Sequence, residues 1–155
     1  MNNELEIIGP MDVSRISFIL GIKSDFTNLN DKSNYCNFNL EGYTEDNIAN
    51  IILDYMDAHR ELEDVSMTLS CVKGLYRNEY NCPPNGERLY RLTSLYNPIY
   101  GQSKKDWYDT IIEYAKNLSE LFHQASCTIV IENYDEEHPL QFIYIKNKYE
   151  TRKML

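Results

Sequence analysis

The chain has 155 residues, with 24 acidic and 15 basic side chains, a formal charge of -9 and a pI near 4.8. Its 43% hydrophobic content supports a buried core and excludes wholesale disorder, while six glycines and five prolines exclude collagen-like and Pro/Gly-rich chains. No apolar run approaches the ~20 residues of a membrane span, the first ten residues carry acids where a secretion signal carries bases, and the negative charge disfavours nucleic acid and anionic membranes alike.

In chain order, Leu5 to Ile8 reads as a short edge strand ended by Gly9-Pro10. From Arg15 to Lys23 the residues Ile16, Phe18, Leu20 and Ile22 alternate with polar ones, as a half-buried strand requires. Ser24 to Asn34 is polar and reads as a loop, and Asn37 to Leu40 as a short strand. Thr44 offers an N-cap hydroxyl, with Glu45 and Asp46 suited to the positive end of a helix. That helix is expected to reach about Leu62, with Ile48, Ile51, Ile52, Tyr55 and Leu62 on one side and Asn50, Asp54, Asp57 and Glu61 on the other.

Val65 to Val72 alternates again, and Leu75 to Tyr80 extends the strand pattern. Asn81 to Gly86 contains Pro-Pro-Asn-Gly, a turn signal. Leu89 to Tyr96 fits a strand or a helical turn, and the strand is favoured. Ser103-x-x-Asp106 opens a second amphipathic helix running to about Gln124, with Trp107, Ile111, Tyr114, Ala115, Leu118, Leu121 and Phe122 inward. Lys116 and Glu120 are spaced to pair on its outer side. Ile129 to Ile131 and Phe142 to Ile145 are apolar on both faces, so the hairpin over 127–146 is expected to be central and the most buried part of the molecule. Loops or a second copy of the chain would cover its outer face, the latter giving a homodimer through that hairpin. Residues 146–155 are expected to fray.

The expected fold is therefore α+β, a single domain over 1–155, with a mostly antiparallel sheet and two amphipathic helices packed on one of its faces. The four cysteines, Cys36, Cys71, Cys82 and Cys127, lack CxxC spacing and read as free thiols in a reducing, cytoplasmic setting. Cys71 and Cys127 fall in apolar patterns and are expected to be buried.

Motifs for chemistry are scarce. His59-Arg60-Glu61 matches the H-x-E of zinc deaminases, but the P-C-x-x-C that completes such a site is missing, and His59 is expected among core side chains. Nucleophile elbows and phosphate loops are absent, and Asp25, Asn28, Asn30 and Asp31 lack the glycine and bidentate Glu of a calcium loop. No catalytic residue, metal ligand or cofactor is assigned. Surface character remains: an acidic stripe of Asp54, Asp57 and Glu61 continued by Glu63 and Asp64, and 13 tyrosines, with Tyr76, Tyr80 and Tyr90 near arginines. Those are interface residue types. The reading drawn from them is a small cytoplasmic, non-enzymatic binding protein that neutralises a basic protein. Its profile is that of an immunity protein against a nuclease-type toxin, with the toxin domain as partner and electrostatic steering as the physics. A viral or phage blocker of a host defence factor and a small carboxylate-dependent hydrolase are the alternatives.

Overall fold

The computed structural model describes residues 5–23, 26–27, 38–147 and 150–151. The alternation at the N-terminal strand is realised as β1 (Arg15–Gly21), where Ile16, Phe18 and Leu20 are buried. It is followed by β2 (Phe26–Thr27), helix α1 (Glu45–Ala58), β3 (Thr68–Gly74), β4 (Glu87–Leu95), helix α2 (Lys104–Leu121), β5 (Ser126–Glu132), β6 (Leu140–Lys146) and β7 (Glu150–Thr151). The strands β3-β4-β1-β5-β6 form one antiparallel sheet in that order, and β2 pairs with β7 in a separate two-stranded sheet. Helix α1 connects β1 to β3, and α2 connects β4 to β5, each crossing one intervening strand. The fold is thus two interlocked split βαβ units, with β6 added as a hairpin. The expected α+β architecture is the one observed.

Register places Leu69, Leu92, Phe18, Ile129 and Ile143 in one row across the sheet. That face packs against Ile48 and Ile52 of α1 and Trp107, Ile111, Tyr114, Ala115 and Leu118 of α2. Each fully buried side chain of this size is worth roughly 1.5–3 kcal/mol of transfer free energy. Both helices start where the sequence marks them. Thr44 accepts from Asn47 N while the Asn47 side chain accepts from Thr44 N, and Ser103 accepts from Asp106 N. Close packing fixes one glycine: a Cβ on Gly21 would lie 2.5 Å from Oε1 of Gln124, whose amide is already held by the carbonyls of Lys23 and Phe122.

Several expectations are corrected. Residues 5–8 form no strand and are exposed, α1 stops at Ala58, and residues 75–80 are loop and a 3-10 turn (Asn78–Tyr80). Asn39 makes only an isolated bridge to Lys23. Helix α2 ends at Leu121, which is partly exposed, and Lys105–Asp109 rather than Lys116–Glu120 forms the i,i+4 pair. Cys127 is buried as expected, but Cys71, on edge strand β3, is exposed. The 127–146 hairpin is not the most buried region. β6 is an edge strand, with Leu140, Phe142 and Tyr144 exposed on the sheet face that no helix covers. Its consecutive apolar residues reflect one packed face and one open face. Of the tail expected to fray, Asn147 is buried and bonded to Ser119 Oγ and Glu150–Thr151 pair with β2, while residues 148–149 and 152–155 lie outside the described ones. The loop over 24–34 lies outside the described residues apart from Phe26–Thr27, as do the calcium-loop residues Asp25, Asn28, Asn30 and Asp31.

Candidate active site

Two large hollows mark the surface, and their chemistry differs. The first lies on the open face of the sheet, about 650 Å³, where Ser17, Thr93, Thr68 and Val130 form the floor and Arg15, Arg91 and Glu132 the charges. Arg15 is paired with Glu132 at 3.1 Å, which leaves Arg91 as the charge of this hollow without an ion pair among the described residues. The second is a cleft of about 720 Å³ between the segment entering β3 and the N-terminus of α2. Glu63, Asp64 and Asp106 supply its charges, and among the described residues no lysine or arginine lines it.

The cleft is built by local rules. Beyond β4, the Asn97 side chain accepts from Ile99 N and opens a 3-10 turn over Pro98–Tyr100, which Gly101 ends at φ 75°, a conformation that favours glycine. This turn presents Tyr100 to solvent at the cleft mouth. Ser103 then caps α2, whose first turn faces the opposite wall. Trp107 forms the base. Its indole Nε1–H donates to Ser94 Oγ at 2.9 Å, and Ser94 Oγ–H donates to the Ser66 carbonyl at 2.8 Å, so helix, strand and wall are tied by one buried relay. Tyr96 packs on Trp107 with ring centroids 5.5 Å apart, and its hydroxyl donates to the Gln102 carbonyl at 2.7 Å. Gln102 in turn donates from Nε2 to Glu63 Oε2 at 2.7 Å. Lys104 is held outside the cleft, donating to the Tyr134 carbonyl near the rings of Tyr96 and Tyr134.

A small recess of about 130 Å³ adjoins the cleft through Glu63, Asp64 and Val65 and is lined by His59 and Tyr114. His59 is half-buried at the α1 C-cap. Its ring stacks on Tyr55 at 3.9 Å, and Nδ1 lies 2.8 Å from the Tyr55 carbonyl, so it is a terminus residue and not a core one. Burial raises the phenol pKa of both Tyr55 and Tyr114 above its ordinary value. Among the described residues, no cluster of His, Cys, Asp and Glu has metal-binding geometry.

The residues singled out in the sequence scatter. Glu63 and Asp64 line the cleft, whereas Asp54, Asp57 and Glu61 lie on or just beyond α1, outside its lining. Tyr76 and Tyr80 stand in the β3–β4 connection, with the Tyr76 hydroxyl on Glu87. Tyr90 cannot anchor a partner, because it is 1% exposed and its ring lies in the core. Sequence reasoning missed Gln102, Tyr100, Ser94 and the charge role of Asp106, which come together only through the β4–α2 crossover.

With this geometry in hand, comparisons with known proteins define the class. The sequence profile of the SAM lyases matches residues 38–137, well over half of the chain, and takes in both cleft walls and both helices. The chain belongs to the SAM lyase family. Two solved structures share its fold: a phage SAM lyase in its apo state, with TM-score 0.54, 18% identity and coverage of 95% of this chain and 98% of that one; and a phage SAM lyase in complex with S-methyl-5'-thioadenosine, with TM-score 0.50, 18% identity and coverage of 96% and 100%. No curated protein sequence matches the chain significantly. Family membership overturns the non-enzymatic reading and, with it, the immunity protein and the basic protein partner. The hydrolase alternative named an enzyme but the wrong reaction class. The physical reason for the error is that negative charge attracts any cation, small or macromolecular.

Proposed function

We propose that this protein cleaves S-adenosylmethionine in the cleft between residues 63–66 and 95–107, releasing S-methyl-5'-thioadenosine. The family match carries the activity; it spans residues of both hollows, so the choice between them rests on their charge. Charge supports the choice of hollow. The substrate carries a sulfonium, an ammonium and a carboxylate and is net cationic, so a carboxylate-lined cleft attracts it overall, and a hollow whose unpaired charge among the described residues is Arg91 does not. The overall charge of -9 adds long-range attraction.

In the reaction, the bond from sulfur to the side-chain carbon of the methionine portion breaks and its electron pair stays on sulfur. A neutral thioether leaves. The four-carbon fragment either closes on its own carboxylate oxygen or gives up a proton from the adjacent carbon to a cleft carboxylate, and neither route consumes water. Positive charge on sulfur disappears along the path. A carboxylate in contact with sulfur would hold the ground state more tightly than the transition state and slow the step. The carboxylates therefore serve best at the amino-acid end, while the apolar surfaces of Trp107, Leu95 and Tyr100 disfavour localised charge at sulfur.

Among the described residues no helix is long and apolar enough to cross a membrane. A cytoplasmic place of action follows from this reading, since the substrate is a charged metabolite. The test is to incubate purified protein with S-adenosylmethionine and separate the products. The reading expects S-methyl-5'-thioadenosine to appear one for one with substrate lost. Intact substrate, or S-adenosylhomocysteine as the product, would overturn it.

A further inference from the structure

Residues 97–101 form a loop whose base is tied and whose tip is not. At the base, the Tyr96 hydroxyl donates to the Gln102 carbonyl at 2.7 Å, the Tyr96 ring packs on Trp107, and Ser103 caps α2. Between these fixed points all five residues are exposed. The turn inside the loop is held by Ile99 N donating to Asn97 Oδ1 at 3.0 Å and by two long backbone hydrogen bonds, Tyr100 N to Asn97 O at 3.3 Å and Gly101 N to Pro98 O at 3.4 Å. Ile99 is 57% and Tyr100 79% exposed, and among the described residues no ring contact or side-chain hydrogen bond holds Tyr100.

Pro98 fixes its own φ, so Pro98–Tyr100 moves as one piece and any rotation falls on its two ends. Gly101 is the freer end. It sits at φ 75°, and a Cβ there would meet nothing within 4 Å, so this glycine serves conformation and not packing. Tyr100 stands at the mouth of a cleft whose base is the buried Trp107 and whose walls include Val65 and Leu95. A ligand seated on that base supplies the apolar surface that the Tyr100 ring lacks in the free protein. Resting on the reading of this cleft as the substrate site, we propose that residues 97–101 are a flap, hinged at Asn97 and Gly101, that closes the Tyr100 ring over the bound ligand. The closed flap keeps water from the sulfur while its positive charge disappears, and it must open before product leaves. The ring does this work and the phenol hydroxyl does not.

The probe is S-methyl-5'-thioadenosine, and the test has two arms. Residual dipolar couplings of ¹⁵N-labelled protein report backbone orientation with and without saturating probe. The couplings of Ile99, Tyr100 and Gly101 are expected to change while those of Leu95 and Trp107 hold. In the second arm, stopped-flow fluorescence of Trp107 gives the rates of binding and release for wild type, Tyr100→Ala and Tyr100→Phe. Tyr100→Ala is expected to speed release about tenfold and leave the association rate within about twofold, because the ring closes after encounter. Tyr100→Phe keeps the ring and should stay within about twofold of wild type in both. Tyr100 is exposed, so neither substitution threatens the core. Loop couplings that stay fixed in the complex, release from Tyr100→Ala as slow as wild type, or Tyr100→Phe as fast as Tyr100→Ala would each overturn the flap. A wild-type protein that neither consumes S-adenosylmethionine nor binds the probe fails the underlying reading. One that does both with the loop unmoved fails the flap only.

Discussion

The two hollows share a rim, since Ser66 and Leu95 line both, yet they differ in charge and in how they are built. The open-face hollow is a by-product of regular sheet structure: side chains at every second position of β1, β4 and β5, with Ser17 and Thr93 sharing a hydrogen at 3.0 Å. The cleft is made of irregular backbone, a 3-10 turn, a left-handed glycine and a helix start, braced from below by Trp107 and Ser94. Size does not separate them. Sign of charge and bracing do, and those are the properties that a site for a small cation needs.

The comparison breaks first on charge. Glu63→Gln combined with Asp106→Asn is expected to lower kcat/KM for S-adenosylmethionine by about 10²-fold, since each lost ionic hydrogen bond is worth roughly 1.5–3 kcal/mol. Arg15→Gln combined with Arg91→Gln should leave it within about threefold, a change of at most about 0.7 kcal/mol. Equal losses in the two pairs, read by steady-state kinetics, would erase the distinction.

Bracing gives the next effect. Trp107→Phe removes the indole donor to Ser94 and is expected to cost about 1–3 kcal/mol of stability by urea unfolding. Thr93→Ala on the open face, a part-buried hydroxyl pair, should cost about 1 kcal/mol or less. Salt sharpens the same contrast: raising ionic strength from about 20 to about 200 mM should raise KM a few-fold through screening, and less so in the Glu63→Gln, Asp106→Asn variant.

Two titratable groups remote from both hollows set the smallest effects. Cys127 is buried, and burial pushes its thiol from 9.0 up to about 12. The folded state therefore holds this proton more tightly than the unfolded one, and stability is lost as pH rises above about 9. Among the three described cysteines, iodoacetamide should modify exposed Cys71 first, then Cys82, and Cys127 only on unfolding, as peptide mapping would show. His123, stacked on Phe38 at 4.6 Å, has its pKa lowered by burial. The unfolded state then binds the proton more readily, so this contribution to stability is complete above pH 6.5 and lost below it. His123 also sits at φ 54°, which Asn tolerates, so His123→Asn should flatten the acid limb of a thermal-melt series without lowering its neutral plateau much.

What the sequence made legible was local. Thr44 and Ser103 mark helix starts because capping is decided within three residues, and β1 shows its period because one face is fully packed. Position in the sheet is non-local. Phe142 and Tyr144 look central by type, yet β6 pairs on one side only, and Cys71 lies at the opposite edge. Tyr90 has the residue type of an interface anchor and the register of a core residue. The cleft was half visible. Glu63 and Asp64 stood out as acids, but their partners Gln102 and Asp106 lie some forty residues on and reach them only through the β4–α2 crossover. Recognition of a cation by carboxylates needs no short signature, so no motif could announce it.

The claim at the centre is the location of the substrate. The chain has a single tryptophan, so its indole resonance is unambiguous. Titration of S-methyl-5'-thioadenosine into uniformly ¹⁵N-labelled protein is predicted to shift the Trp107 indole and the amides of Leu95, Tyr100 and Gly101, leaving Ser17, Arg91 and Val130 in place. Shifts confined to Ser17, Arg91, Thr93 and Val130 would put the ligand on the open sheet face and contradict the account.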